Sequence, residues 1–248
     1  MYPLWYQTLM HRLWYPPVST AMNVLLSVRT WGWQRVPLDG GLLVVANHQS
    51  FLDPVLVGMA MRRRSCYLAR KTLFRNPLFA WLIRSFGAIP IDQEKPTLEG
   101  IRTALELLRR QEAVVLFPEG ERTPHGQMQP LKPGVALLIR RGQVPVLPVA
   151  IAGAYEIWPR HSPLPILCPL WSRRRCRQTV THPPMAKFAS SATQSHQPDR
   201  RGIAVVVGQP IPFADFENLP NDAILARLRQ VLLDLYHQAE QRRFLCLE

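Results

Sequence analysis

Short apolar runs alternating with helix-period segments predict an α/β fold for this 248-residue chain, a mainly parallel sheet flanked by helices. Two features of composition agree. Hydrophobic residues make up 47% of the sequence, enough for a packed core and too many for a globally disordered chain. The 24 prolines argue against a long helical bundle, because an interior proline removes a helix hydrogen bond. At this length one domain with terminal additions is the expectation.

The first segment, residues 1–34, is unlike the rest. It carries Trp5, Trp14, Trp31 and Trp33, four of the seven tryptophans, together with Tyr2, Tyr6 and Tyr15. Its apolar stretch from Leu13 to Val28 lies between Arg12 and Arg29 and is broken by Pro16-Pro17. That run is too short and too interrupted for a membrane span. It predicts paired amphipathic helices lying in a membrane interface, with aromatic rings at headgroup level. An amphipathic pair packed on the core is the competing reading. No basic region precedes the apolar residues, which argues against a cleaved secretory signal.

Residues 35–248 carry the alternation. Leu42 to Ala46 is a continuous apolar run, as expected of a strand buried on both faces. Ala88 to Ile91, Ala113 to Phe117, Val144 to Ile151 and Ile203 to Val207 read as further strands. Leu98, Ile101, Leu105 and Leu108 recur at helical spacing after the candidate cap Thr97. Asn221 precedes a second helical stripe, Ile224, Leu228, Leu232 and Leu235. Residues 166–201 interrupt the order. They hold Arg173, Arg174, Arg175, Arg177, Lys187, Arg200 and Arg201 against the single acid Asp199, in a Ser-, Thr-, Pro- and Gln-rich context. This composition predicts a disordered basic insertion.

The formal net charge is +13, with 26 Arg and 4 Lys. Such a charge favours anionic partners: nucleic acid, an acidic membrane surface or a phosphorylated substrate. No RNA-recognition motif, helix-turn-helix pattern or aromatic–basic interleaving accompanies it, so nucleic acid is set aside. Cys66, Cys168, Cys176 and Cys246 form no CxxC pair and no His/Cys cluster with zinc spacing, so no metal site is expected. Reduced cysteines in a cytosol-facing protein are the simplest reading.

Two clusters carry chemistry. Asn47-His48-Gln49-Ser50-Phe51-Leu52-Asp53-Pro54 follows the strand ending at Ala46, where open α/β sheets place their sites. If the chain turns into a helix here, Asp53 can accept a hydrogen bond from one ring nitrogen of His48. The other nitrogen is then free to take a proton from an alcohol. The structural alternative stands beside it: Asp53 before Pro54 reads as a helix cap, and Ser50 with Asp53 as a capping box. About 0.2 such His-x4-Asp pairs arise by chance at this composition, so the pair alone decides little. Ser50 lacks a GxSxG nucleophile elbow. The second cluster is Phe117-Pro118-Glu119-Gly120-Glu121-Arg122-Thr123, also after a strand. Gly120 permits a tight turn and Arg122 offers a planar fork suited to phosphate oxygens. Lys132-Pro133-Gly134 then opens a helix, whose first N–H groups favour an anion.

Taken together, these blocks resemble the four motifs of the glycerolipid acyltransferases, typified by 1-acyl-glycerol-3-phosphate acyltransferase. Asn47 to Asp53 carries the NHxxxxD pattern, and Phe117 to Arg122 is similar to the FPEG-x-R block. Gly87 to Asp92 and Val144 to Ala150 are similar to the second and fourth blocks. Order and spacing agree over roughly residues 35–160. The resemblance implies that His48 is the general base and Asp53 orients it. It implies that Glu119, Gly120, Arg122 and Lys132 bind the acceptor phosphate. An acyl chain would pass directly from an acyl thioester, acyl-CoA or acyl carrier protein, to a lysophosphatidate-like hydroxyl, with no metal, cofactor or acyl-enzyme. Membrane lipids are the implied partners, and association with the cytoplasmic face of a membrane the implied location.

The chain departs from the family pattern twice. Gln93 stands where the family often has Arg, and the 166–201 insertion has no family counterpart. The first departure leaves other acceptors open: glycerol 3-phosphate, another lysophospholipid or an amino-acid lipid. A membrane-binding module without catalysis is the non-enzyme alternative, against which His48 and Asp53 both stand. A metal hydrolase built on His48, Asp53 and Glu119 is a further one, which insensitivity to chelators would exclude.

Overall fold

A computed structural model describes residues 4–91, 98–162, 165 and 202–244. Among the described residues seven strands form one sheet in the order β1-β7-β6-β2-β5-β3-β4. The strands are β1 Val28–Trp31, β2 Leu42–Ala46, β3 Ser65–Arg70, β4 Ala88–Ile91, β5 Ala113–Leu116, β6 Val146–Ala152 and β7 Ile203–Val207. All neighbours pair parallel except β6 and β7, which are antiparallel. The expected mainly parallel α/β sheet is therefore what forms.

β2 is central and wholly buried, and its side chains alternate between two cores. Leu42, Val44 and Ala46 pack on the face covered by α2, Asp53–Met61. Leu43 and Val45 pack on the opposite face, with α4 (Leu98–Arg109), α5 (Gly134–Gly142) and α7 (Asn221–Phe244). A strand apolar at every position is what burial on both faces requires. From β2 the chain leaves through α2 and returns as β3, beyond the place later taken by β5. From β5 it leaves through α5 on the other face and returns as β6, on the far side of β2. Adjacent β2 and β5 thus send their connections to opposite faces and opposite sides. This is a topological switch point, and it opens a crevice at their carboxyl ends.

Three short elements escape sequence patterning. β1 falls within residues 1–34 yet pairs with β7, from Val28 opposite Ile203 to Trp31 opposite Val206. Its residues, Val-Arg-Thr-Trp, form no apolar run, and only Val28 is buried. β3 is only partly buried, and α3 (Pro77–Ser85) keeps large apolar residues on its outside. Gly87 ends the α3 turn at φ +86°, where an added Cβ would lie 2.3 Å from the Ser65 carbonyl oxygen. Only glycine lets β4 start this close to β3.

The N-terminal segment differs from the expected helix pair. α1 runs unbroken from Leu4 to Leu26, with Pro16 and Pro17 inside it. The prolines remove the bonds back to residues 12 and 13. Arg12, Leu13, Pro16 and Pro17 are all exposed, so the freed carbonyls lie on a face that solvent can satisfy. Leu26 is buried, Met22 and Tyr15 pack on the core, and the Tyr15 hydroxyl donates to the Met59 carbonyl at 3.0 Å. Leu9, Leu13, Val24 and Leu25 remain exposed. Among the described residues no helix is both long and apolar enough to cross a membrane. The 166–201 insertion, Thr97, Asp92, Gln93, Cys168, Cys176 and Cys246 lie outside the described residues.

Candidate active site

The loop after β2 and the loop after β5 meet at the switch-point crevice. His48 leaves β2 just beyond Asn47, whose side chain is locked to β6. Asn47 Nδ2 donates to the Ile151 carbonyl at 2.9 Å, and its Oδ1 accepts from Ile151 N–H at 2.8 Å. The chain then turns through Gln49–Leu52 into α2, and Asp53 on the first turn of that helix points back at the loop. His48 Nδ1 lies 2.8 Å from Asp53 Oδ2. The same oxygen accepts from the backbone N–H of Gln49 at 2.5 Å and of Ser50 at 2.7 Å.

α2 begins at Asp53 itself, with Leu52 at the cap position and no side-chain cap bond, so Asp53 is not the cap expected from its place before Pro54. Its bond from Ser50 N–H, with Ser50 Oγ accepting from Leu52 N–H at 3.2 Å, instead ties the turn that leads into the helix, and the expected capping box does not form. Ser50 is not placed as a nucleophile, since its hydroxyl donates to the Trp158 carbonyl at 2.8 Å. Asp53 is fully buried. Burial pushes its carboxyl pKa up, and the bonds from His48, Ser50 and Gln49 pull it back. With Nδ1–H given to Asp53, His48 keeps Nε2 as the basic nitrogen. The imidazole stacks on Phe117, ring centroids 4.2 Å apart and planes 19° apart, which fixes its plane.

Glu119, implied by the resemblance to bind the acceptor phosphate, makes two hydrogen bonds to backbone N–H groups. Its carboxylate is turned inward and buried. Oε1 accepts from His48 N–H and Oε2 from Gln129 N–H, both at 2.7 Å. Burial raises its pKa to about 7, against the two N–H donors and with the nearby Asp53 charge adding to the rise. A carboxylate tied this way braces the two loops. Thr123 N–H donating to the His48 carbonyl at 2.9 Å completes the brace.

Gly120 takes φ +77°, and an added Cβ would lie 3.4 Å from Cγ and Cε of Lys132. The glycine therefore permits both the turn and the close passage of the lysine side chain. Lys132 is exposed, with its backbone N–H on the Pro118 carbonyl at 2.8 Å, just before α5 begins at Gly134. The Arg122 guanidinium lies 3.4 Å over the Phe51 ring, and its Nη1 is buried without a partner among the described residues. Burial lowers its pKa, and the positive charges of Arg160 and Arg70 lower it further. Arg160 is partly neutralised by Glu121, 2.7 Å away. The cations therefore gather beside the dyad and repel one another, an arrangement that an arriving anion relieves.

The structure thus brings His48, Asp53, Glu119, Gly120, Arg122 and Lys132 to one crevice. Sequence reasoning missed four contributors. Asn47 and Phe117 stand inside the motif blocks, where a polar anchor and a ring platform carry no pattern of their own. Trp158 and Gln129 lie outside any block and act through backbone groups, which leave no signal in side-chain chemistry. Among the described residues no three His, Cys, Asp or Glu side chains converge as a metal site would need.

Comparison with known proteins agrees with this fold. The acyltransferase family profile matches residues 27–152, just over half of the chain and the whole span from β1 to the end of β6. The 1-acyl-sn-glycerol-3-phosphate acyltransferase of Bacillus subtilis is 24% identical over 229 residues, 90% of this chain and 96% of that protein. The proteins of the same name from Streptococcus pneumoniae and Pseudomonas aeruginosa are each 32% identical, and the match spans 43% and 50% of their lengths. The crystal structure of the 1-acyl-sn-glycerophosphate acyltransferase of Thermotoga maritima superposes with a TM-score of 0.67, covering 94% of this chain and 81% of that one. At 19% identity that likeness concerns the fold. With the His48–Asp53 pair at the switch point and the profile running through both motif loops, the chain belongs to the acyltransferase family.

Proposed function

We propose that this protein transfers a fatty acyl chain from an acyl thioester, acyl-CoA or acyl carrier protein, to the free hydroxyl of a lysophosphatidate-like acceptor in phospholipid synthesis. His48 Nε2 takes the proton of the acceptor hydroxyl, and the hydroxyl oxygen attacks the thioester carbonyl. The tetrahedral intermediate collapses with cleavage of the carbon–sulfur bond. The departing thiolate receives the proton from the imidazolium, which Asp53 steadies throughout. Arg122 and Lys132, with Arg70 and Arg160 nearby, hold the acceptor phosphate. Glu119 acts as a positioning residue that sets the backbone of His48. Membrane lipids supply the acceptor, at the cytoplasmic face, with the exposed side of α1 against the bilayer.

One observation carries the reading. A hydrogen-bonded His–carboxylate pair shares a crevice with a repelling group of cations, so a base and an anion subsite stand side by side. The test offers labelled acyl-CoA and acyl carrier protein to the purified enzyme with lysophosphatidate, glycerol 3-phosphate or no acceptor, followed by lipid analysis. The expected product is phosphatidate, absent with His48→Ala, where loss of a general base removes about 10²–10⁴-fold of the rate. Near wild-type transfer by His48→Ala would overturn the mechanism, and product only from glycerol 3-phosphate would change the acceptor.

A further inference from the structure

Beside the crevice, one stretch of surface departs from ordinary soluble design. β3 ends at Arg70 at the same end of the sheet as His48, close enough for its charge to act on Arg122. The chain continues as a 3₁₀ turn, Lys71–Phe74, and then as α3. Leu78 is 74% exposed, Leu73 and Phe79 are each 43% exposed, and Trp81 is exposed beside them. Only Ala80 and Ser85 of α3 are buried. Between these apolar side chains stand Arg70, Lys71, Arg75 and Arg84, all exposed, and residues 70–91 contain no Asp or Glu. α3 also lies against α1, which exposes Leu9 and Leu13.

We propose that residues 71–85 form a preformed wedge that inserts into an anionic bilayer and seats the catalytic crevice against the lipid. The inference rests on the reading that the acceptor is a membrane lipid, and it names the surface that meets the membrane. Large exposed apolar side chains ringed by cations, with no acid among them, match an interface of acyl chains beneath anionic headgroups. α3 has nine residues, a length of about 14 Å, so it lies in the interface and cannot cross it. It is already folded and capped: Asn76 accepts from Phe79 N–H at 3.0 Å and Pro77 fills the first helical position. Insertion therefore requires no ordering of the helix. Because the wedge is rooted at Arg70, an acceptor headgroup at the bilayer surface lies next to the cations beside His48.

The test uses the full chain with phosphatidylcholine vesicles, with and without phosphatidylglycerol, read by flotation. Leu78→Ser/Phe79→Ser should lower partitioning onto the anionic vesicles about ten-fold or more. Lys71→Gln/Arg75→Gln should abolish the preference for anionic over neutral vesicles, as high salt does for the wild type. Both variants should keep wild-type turnover on a short-chain lysophosphatidate dissolved as monomers, since neither pair touches the crevice. Unchanged vesicle binding by Leu78→Ser/Phe79→Ser, with the wild type active, would overturn the wedge and leave the acyl transfer standing. Loss of turnover on the dissolved acceptor would also overturn it, by showing that 71–85 supports the site rather than the membrane. A wild type inactive on every lysophosphatidate would overturn the underlying reading instead.

Discussion

Glu119 holds His48 by the backbone: its Oε1 accepts the His48 N–H at 2.7 Å while its Oε2 takes the N–H of Gln129. The carboxylate therefore joins the loop after β2 to the loop after β5, and both oxygens must accept. Glutamine has one accepting oxygen and one donating NH₂, so Glu119→Gln leaves one buried N–H facing a donor, at a cost of roughly 1–3 kcal/mol. The expected outcome is a lower melting midpoint and a fall in kcat, with less change in acceptor KM.

The same residue sets a pH dependence. Burial raises the Glu119 pKa from its ordinary 4.5 to about 7 in the folded protein. Between these values the folded state binds the proton more tightly than the unfolded chain. The contribution to stability is thus fully present below about 4.5 and is lost as pH rises through about 7. Denaturant titrations across this window should show wild-type stability falling with pH and a flatter profile for Glu119→Gln. Parallel profiles would show that another group carries the slope.

Asp53→Asn separates charge from shape. All three donors converge on Oδ2, and Oδ1 is buried with no partner among the described residues. An asparagine can place its oxygen at Oδ2 and its amide at Oδ1, keeping the loop bonds but losing the charge and burying an NH₂ with no partner among the described residues. Relief of the buried charge and the cost of the unpartnered NH₂ oppose one another, so the melting midpoint at pH 7 should shift little. Turnover should fall by roughly 10²-fold or more, because the imidazolium loses its counter-charge. A strongly destabilised variant would mean that the ionised group is needed for the fold itself.

Much of the fold is legible in the sequence, and what is not has physical causes. β2, β5, β6 and β7 are buried and apolar, so burial wrote them into the sequence, and β4 shows as a short apolar run although it is only half-buried at the sheet edge. β1, β3 and α3 are not, because β1 and β3 mix polar with apolar residues and α3 leaves large apolar side chains outside. The His48–Asp53 pair was legible because its spacing coincides with a strand-to-helix turn. The role of Glu119 was not. A carboxylate that accepts backbone N–H groups looks, in sequence, like any charged residue in a loop. The Pro16-Pro17 break misled for a related reason: on an exposed helix face two prolines need not end the helix.

Arg122 and Lys132 should act on the acceptor more than on the thioester. Each charge-assisted contact to a phosphate contributes roughly 1.5–3 kcal/mol, or about 10–150-fold in acceptor kcat/KM. Arg122→Ala also removes the stacking on Phe51, so Arg122→Lys is the better probe: it keeps the charge and loses the planar fork. Steady-state kinetics with a phosphate-bearing acceptor and a phosphate-free analogue check the assignment. Equal losses on both would show that these cations serve the donor or the fold.

The register of β6 and β7 makes a prediction about the chain between them. Ala152 pairs antiparallel with Ala204, so the two strands end side by side and need only a connection, whatever its length. Closure entropy grows slowly, by about 0.6 kcal/mol for each doubling of a flexible loop. The near side of the connection is structural: Trp158 receives the Ser50 hydroxyl bond through its carbonyl, and Glu156 pairs with the buried Arg243 of α7. Residues 166–201, by contrast, have a composition of basic and small polar residues that offers little to a core. Replacing 166–201 by a Gly/Ser linker of about ten residues should leave the melting midpoint and His48-dependent transfer on detergent-dispersed acceptor close to wild type. Any loss should appear only on anionic vesicles and vanish at high salt, as attraction of the Arg cluster to lipid headgroups would. A linker variant that fails to fold, or loses turnover in neutral detergent, would place 166–201 within the structural core and show that the strands depend on more than their register.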